Sequence, residues 1–204
     1  MIAGLGGDLL GSGTLYKRWP CVGTAHSHMK AAIDIVTAQD LGVEDIAEIK
    51  LHVGDYHDLM CQPLAERRAP ATLADAKFSL PFLVAIATVR RGMSVTDFTQ
   101  AGLRDPAILE AGRKISLVAD SALDWKLDLP PGRVEIIAKD GRRWLVEGHG
   151  VPGNADNPMS WDDLAAKFRE CAAVSVSPVG AAAVERALAL ARTLETLDDA
   201  TDLI

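Results

Sequence analysis

Lys17, Arg18, His26 and His28 stand close together in the stretch Thr-Leu-Tyr-Lys-Arg-Trp-Pro-Cys-Val-Gly-Thr-Ala-His-Ser-His, residues 14 to 28. Ammonium and guanidinium groups attract a carboxylate or phosphate, and an imidazole beside such a ligand can take or return a proton near neutral pH. Pro20 biases Trp19 towards an extended backbone, and Thr24 is a candidate N-cap for a helix that carries Ile33, Ile35 and Val36 into a core. The start of that helix would aim unpaired N–H groups and the positive end of its dipole at the same place. The plainer reading of the same residues is a solvated turn with a capping or surface histidine.

The elements that must hold this stretch follow from pattern. After the first helix, which ends before Gly42, Ile46–Val53 alternates, with Ile49, Leu51 and Val53 on one face and Lys50 and His52 on the other, as in a half-buried strand. Residues 54–72 read as a loop in which Asp55, His57, Asp58 and Cys61 are candidate metal ligands, but loops are polar in any case and the expectation is no metal. Ser79 before Leu80-Pro81 reads as the N-cap of a buried helix ending at Arg90-Arg91-Gly92, with Lys77 beside its start as a second anion-friendly corner; the plainer reading leaves Lys77 a solvated residue before an ordinary cap. Two short helices are expected at 94–101 and 105–113. Strands follow at Lys114–Asp120, Arg133–Lys139 and Arg143–His149, the last two joined by the turn signal Asp140-Gly141. His149, at the end of that hairpin, reads as structural or surface-bound.

Ser160 with Asp163 forms a capping box for a helix running to Val174, and Pro178 opens another. The expected fold is therefore α+β: an antiparallel sheet with helices on one face at 14–158, followed by a C-terminal helical segment at 159–204, after a flexible glycine-bearing leader at 1–13. The leader's glycines do not make a dinucleotide-binding loop, because no strand precedes them and no clear helix follows.

At 204 residues and 49% hydrophobic the chain can bury a sizeable core. Its net charge of -7, with scattered Lys and Arg, gives no basic stripe and argues against a nucleic-acid partner. Cys21, Cys61 and Cys171 match no zinc spacing and fit free thiols in a reducing cytoplasm. No run approaches the ~18 apolar residues of a membrane span.

Three stretches, in order, resemble motifs of the MmgE/PrpD family: Lys17-x-Trp19-Pro20-Cys21 leading to Ala31-Ala32-Ile33-Asp34; Asp75-Ala76-Lys77-Phe78-Ser79-Leu80-Pro81-Phe82; and Gly150-Val151-Pro152 through Asn157-Pro158-Met159-Ser160-Trp161 to Lys167-Phe168. The family includes 2-methylcitrate dehydratase, cis-aconitate decarboxylase and iminodisuccinate epimerase. The resemblance covers about residues 14–175 and corresponds to the later part of a family member, which normally begins with a large helical domain. It implies cofactor-free chemistry on small di- or tricarboxylates, in which a proton alpha to a carboxylate is moved. Lys17 falls on the motif lysine and is assigned to carboxylate binding or proton transfer. His26 stands where the motif histidine is common; His28 is the alternative, because Ala-Ala-Ile-Asp arrives later than usual. Arg18, Lys77 and Ser79 are the candidate substrate-binding residues. Val22 stands where cis-aconitate decarboxylases carry another histidine, which weakens the decarboxylase reading. Three functions stay open: part of a dehydratase, epimerase or decarboxylase, inactive without the helical domain; a subunit of a split enzyme completed by a separate helical chain; or a non-catalytic small-acid binding or interaction module. An apolar stripe in the last helix, Val179 to Leu194, or a sheet edge predicts a homodimer.

Overall fold

Strand β1, Ile46–Val53, has the alternation read from its sequence: Ile49 and Leu51 are fully buried while Lys50 and His52 face the other way. Around it the chain builds a four-stranded sheet in the order β2-β1-β3-β4, with β2 at Ile115–Ala119, β3 at Arg133–Ala138 and β4 at Arg143–Glu147. The computed structural model describes residues 6–7, 14–126, 129–199 and 201. The expected leader at 1–13, apart from 6–7, lies outside the described residues.

The sheet is mixed, which corrects the expectation of a wholly antiparallel one. β1 pairs antiparallel with β3, and β3 with β4 through a hairpin whose Gly141 takes a φ of +88°. β2, however, runs parallel to β1 with Ile49 opposite Ile115. Between these two strands the chain makes a long helical crossover, and a crossover of that kind returns the chain to the end where the first strand began. That crossover also replaces the loop expected at 54–72. It holds α2 (Asp55–Asp58), α3 (Leu64–Arg68), α4 (Leu73–Lys77), α5 (Leu80–Arg90) and α6 (Pro106–Arg113). The helix expected at 94–101 is instead two 3-10 turns, Val95–Asp97 and Gly102–Arg104; the Asp97 carboxylate folds back onto the Ser94 N–H and closes the first after one turn.

One face of the sheet, formed by Ile46, Ile49, Leu51, Ile115, Val134 and Ile136, is fully buried beneath the helices. Helix α1, His26–Ala38, packs on β3, β4 and α5, and α5 is buried from Leu80 to Thr88. Burying that much aliphatic surface, at roughly 25 cal/mol per Å2, is the main force holding the layers together. The opposite face is a polar ladder: Lys50 lies 3.5 Å from Glu135, Arg133 hydrogen-bonds Glu147 at 2.9 Å, and His52 lies 3.7 Å from Asp120.

The chain divides into two compact units at Pro158 and Met159. The second contains α7 (Trp161–Ala173), started by the Ser160/Asp163 capping box, and α8 (Ala181–Arg192). Gly180 is the N-cap of α8, so the helix opens three residues after Pro178. Leu164, Phe168, Ala187 and Leu188 line a cleft between the two helices, and Arg169 grips Glu185 through two hydrogen bonds of 2.6 and 2.7 Å. Among the described residues no helix is long and apolar enough to cross a membrane.

Candidate functional site

The loop before α1 folds tightly. Cys21 N–H donates to the Trp19 carbonyl at 2.9 Å, the Trp19 ring is buried, and Gly23–Ala25 form a 3-10 turn that runs straight into α1. Thr24 therefore lies inside the turn and does not cap the helix, contrary to the sequence expectation; its hydroxyl meets the Met60 sulfur at 3.7 Å. Val22 N–H donates to the Lys77 carbonyl at 3.1 Å and ties this loop to the end of α4.

That tie brings two lysines from separate parts of the chain to one corner. A Cβ built on Gly23 would lie 3.3 Å from Lys17 Cε, so the absence of a side chain there lets the lysine stem lie along the turn. Lys77 extends over the Phe98 ring, its ammonium 5.5 Å from the centroid. Both cations act on Cys21: burial pushes its thiol up to about 12, and the positive charges of Lys17 and Lys77 work against that rise. Both lysines are exposed and Arg18 is half-exposed on the same turn, while Cys21 is buried beneath them and touches the Met29 sulfur at 3.6 Å.

The histidines lie under this corner and not on it. His26 is 1% exposed and meets Trp19 edge to face, with ring centroids 5.1 Å apart. His28 is wholly buried, and its Nε2 lies 3.0 Å from the His52 carbonyl. A carbonyl can only accept, so Nε2 carries the proton and Nδ1 is left as a buried lone pair. His57 repeats the arrangement, donating from Nε2 to the Thr24 carbonyl at 3.2 Å, and its ring stands against His28 with centroids 4.7 Å apart. Burial and the neighbouring His57 hold His28 down to about 3, against the opposing effect of the His52 carbonyl. Burial likewise lowers His57, opposed by the Thr24 carbonyl and by Asp55. His28 is neutral, tethered and roofed by Gly132, where a Cβ would come within 2.6 Å of the His28 Cα. As placed, it braces the corner and has no path to a substrate.

Ser79 is also placed differently from its expected role in binding. It is fully buried; its hydroxyl donates to the Arg67 carbonyl and accepts from Phe82 N–H at 3.3 Å, so its hydrogen-bonding capacity goes to capping α5. Of the residues named from the sequence, the structure brings Lys17, Arg18 and Lys77 to the surface corner, His26 and His28 beneath it, and Ser79 into the core.

Sequence reading missed the residues that clamp the corner. Ser27 donates to the Gly148 carbonyl at 2.8 Å and accepts from Gly132 N–H, while Gly148 N–H donates to the Gly132 carbonyl at 2.8 Å. The signal was present as glycines flanking a predicted hairpin: a Cβ at Gly148 would collide with the Ser27 carbonyl. His149 is exposed and lies 3.2 Å from Glu147. The residues weighed as metal ligands scatter, with Asp55 capping backbone N–H groups and Cys61 buried and pushed up to about 12. Among the described residues no three of His, Cys, Asp and Glu are grouped so as to hold a metal ion.

A second concavity, about 430 Å3, opens at the ends of β1 and β2 and is lined by Asp55, Asp58, Asp120 and Asp124. Its sign is wrong for a carboxylate ligand, whereas the charge of the Lys17–Lys77 corner matches one.

Compared with curated proteins, the chain has no significant match. Against protein-family models it matches the MmgE/PrpD C-terminal domain over residues 19–195, a span that holds Lys77, the buried histidines, the whole sheet and both helices of the second unit. That span is most of the chain, which therefore belongs to the MmgE/PrpD family through its C-terminal domain.

Proposed function

We propose that this chain is the carboxylate-binding C-terminal part of a cofactor-independent enzyme acting on small di- or tricarboxylates, with 2-methylcitrate dehydratase-like proton abstraction and dehydration. The observation that carries the reading is the placement of Lys17 and Lys77 beside the turn that opens α1, in a chain whose net charge is -7. Two ammonium groups hold one carboxylate directly and stabilise the negative charge that spreads onto it when the neighbouring C–H loses its proton. At ~4 Å and an effective dielectric of about 20, each ammonium–carboxylate contact supplies roughly 4 kcal/mol of Coulomb attraction before desolvation. Arg18 is assigned to a second carboxylate. Proton transfer by His26 requires Trp19 to swing aside, so these 204 residues alone are expected to bind the acid without turning it over; a helical-domain partner would complete the cleft.

The burial of His26 and His28 favours a second reading, a non-catalytic small-acid binding module, because the corner then offers cations without an accessible imidazole. Calorimetric titration with citrate, 2-methylcitrate and iminodisuccinate separates binding from its absence. Lys17→Ala and Lys77→Ala should each weaken binding at least tenfold, and unchanged affinity in the double variant would refute the site. Incubation in deuterium oxide with the helical domain added then decides between the readings: exchange of the substrate's alpha proton supports the enzyme, and binding without exchange supports the module.

A further inference from the structure

Arg67, in α3, is anchored through backbone and side chain alike. Its N–H donates to the Pro63 carbonyl at 3.0 Å, its carbonyl accepts from the Ser79 hydroxyl that caps α5, and its Nε donates to the Gln62 carbonyl at 3.0 Å. The last bond uses one nitrogen of the guanidinium and leaves the end-on fork, Nη1 and Nη2, an edge that takes a carboxylate through two parallel hydrogen bonds. Among the described residues no carboxylate pairs with that fork. The residue is half-buried, and its charge reaches the buried Cys61 thiol, where it opposes the rise that burial imposes. A cation drawn partly out of water without a counter-ion loses hydration that nothing around it returns.

This guanidinium lines a concavity of about 270 Å3 formed by α3, the loop after it and Asp75 of α4. Part of the wall is apolar, from Pro63, Pro70 and Ala71. Two carboxylates share the remainder with Arg67. The Glu66 carboxylate has no partner among the described residues, and Asp75 commits only Oδ2, to the Thr72 hydroxyl at 2.6 Å, so its Oδ1 stays open.

One guanidinium and two carboxylates thus face a single small space without pairing across it. A simple anion placed there would meet the fork but also two negative charges, and a phosphate would fare worse; a simple cation would leave the fork unmatched. A ligand with both signs satisfies all three groups, its carboxylate on the fork and the N–H donors of its ammonium shared between Glu66 and Asp75. The volume falls below the roughly 300–1,000 Å3 of pockets that hold drug-sized molecules, so the carbon frame between the two charges must be short. The prolines and the alanine suit a small aliphatic side chain. The Lys17–Lys77 corner offers cations; this concavity offers both signs.

We propose that the concavity between α3 and α4 binds a small zwitterionic amino acid, with its carboxylate on the Arg67 fork and its ammonium between Glu66 and Asp75. The test is titration of the full chain with L-alanine, and separately with propionate and ethylamine, each of which carries one of the two charges, followed by amide chemical shifts. L-alanine should saturate the site, move the amides of Glu66, Arg67 and Asp75 most, and bind at least about tenfold more tightly than either single-charge probe. Arg67→Lys keeps the charge but loses the fork and should weaken L-alanine binding about tenfold or more. Glu66→Gln, which removes a carboxylate that the fold does not use, should weaken it similarly with an unchanged melting temperature. No saturation at millimolar L-alanine, shifts centred on Lys17 and Lys77 instead, propionate binding as tightly as L-alanine, or unchanged affinity in both variants would overturn the proposal.

Discussion

Acidification from pH 7 to 5 should loosen the first unit through His28. Its ordinary value is 6.5 and the fold holds it down to about 3, so between those limits the unfolded chain binds a proton that the folded chain refuses. Stability therefore falls as pH falls through this window, by about 1.4 kcal/mol for each unit. At pH 5, roughly 1.5 units below the unfolded value, His28 alone removes about 2 kcal/mol. His57 is lowered too and adds in the same direction. The carboxylates held low by their partners, Glu147 from 4.5 and Asp105 from 3.8, contribute stability that is lost only below those unfolded values, so the window above pH 5 isolates the histidines. The assay is hydrogen exchange at the Ile49 and Leu51 amides of β1, corrected for the intrinsic pH dependence: 2 kcal/mol is a drop of about 30-fold in protection. In parallel, the His28 C2 proton should show no titration step above pH 5 in the folded protein. Unchanged β1 protection from pH 7 to 5, or a His28 midpoint near 6.5, would refute the reasoning.

Gly132→Ala should be among the costlier single changes, since the added methyl meets the His28 backbone and ring in a buried site; about 3 kcal/mol is expected, read as a lowered melting temperature with loss of the Trp19–His26 ring-current shifts. Cys171 is exposed whereas Cys21 and Cys61 are buried and both pushed up to about 12, so iodoacetamide at pH 7.5 should label Cys171 first by peptide mass spectrometry. Labelling of Cys21 at a comparable rate in the folded chain would contradict the closed loop.

What the sequence could reveal depended on whether the cause was local. β1 was readable because its period of two is written in Ile49, Leu51 and Val53, and α5 because Ser79 and Pro81 mark its start. The Ser160/Asp163 box opens α7 where its spacing indicates. The direction of β2 was not local: it follows from how five helices fold over the sheet, and a five-residue apolar strand carries no mark of parallel pairing. The same distinction runs through the site. Lys17 and Lys77 were visible as charges near helix starts. The burial of His28 was settled by Gly132 and His57, distant residues whose packing no spacing within 14–28 encodes. Ser79 had one hydroxyl and two expected roles, and capping α5 used it.

Ser27 holds the start of α1 to Gly132 and Gly148, partners 105 and 121 residues further along the chain. Contacts of such sequence separation are slow to form, because a long loop must close before they return any stability. On a ribosome delivering residues one at a time, α1 and its lysine-bearing turn emerge before their anchor, which does not exist until the β3–β4 hairpin has also left the exit tunnel. The anion corner is thus encoded ahead of the residues that fix it and is complete only once they have followed.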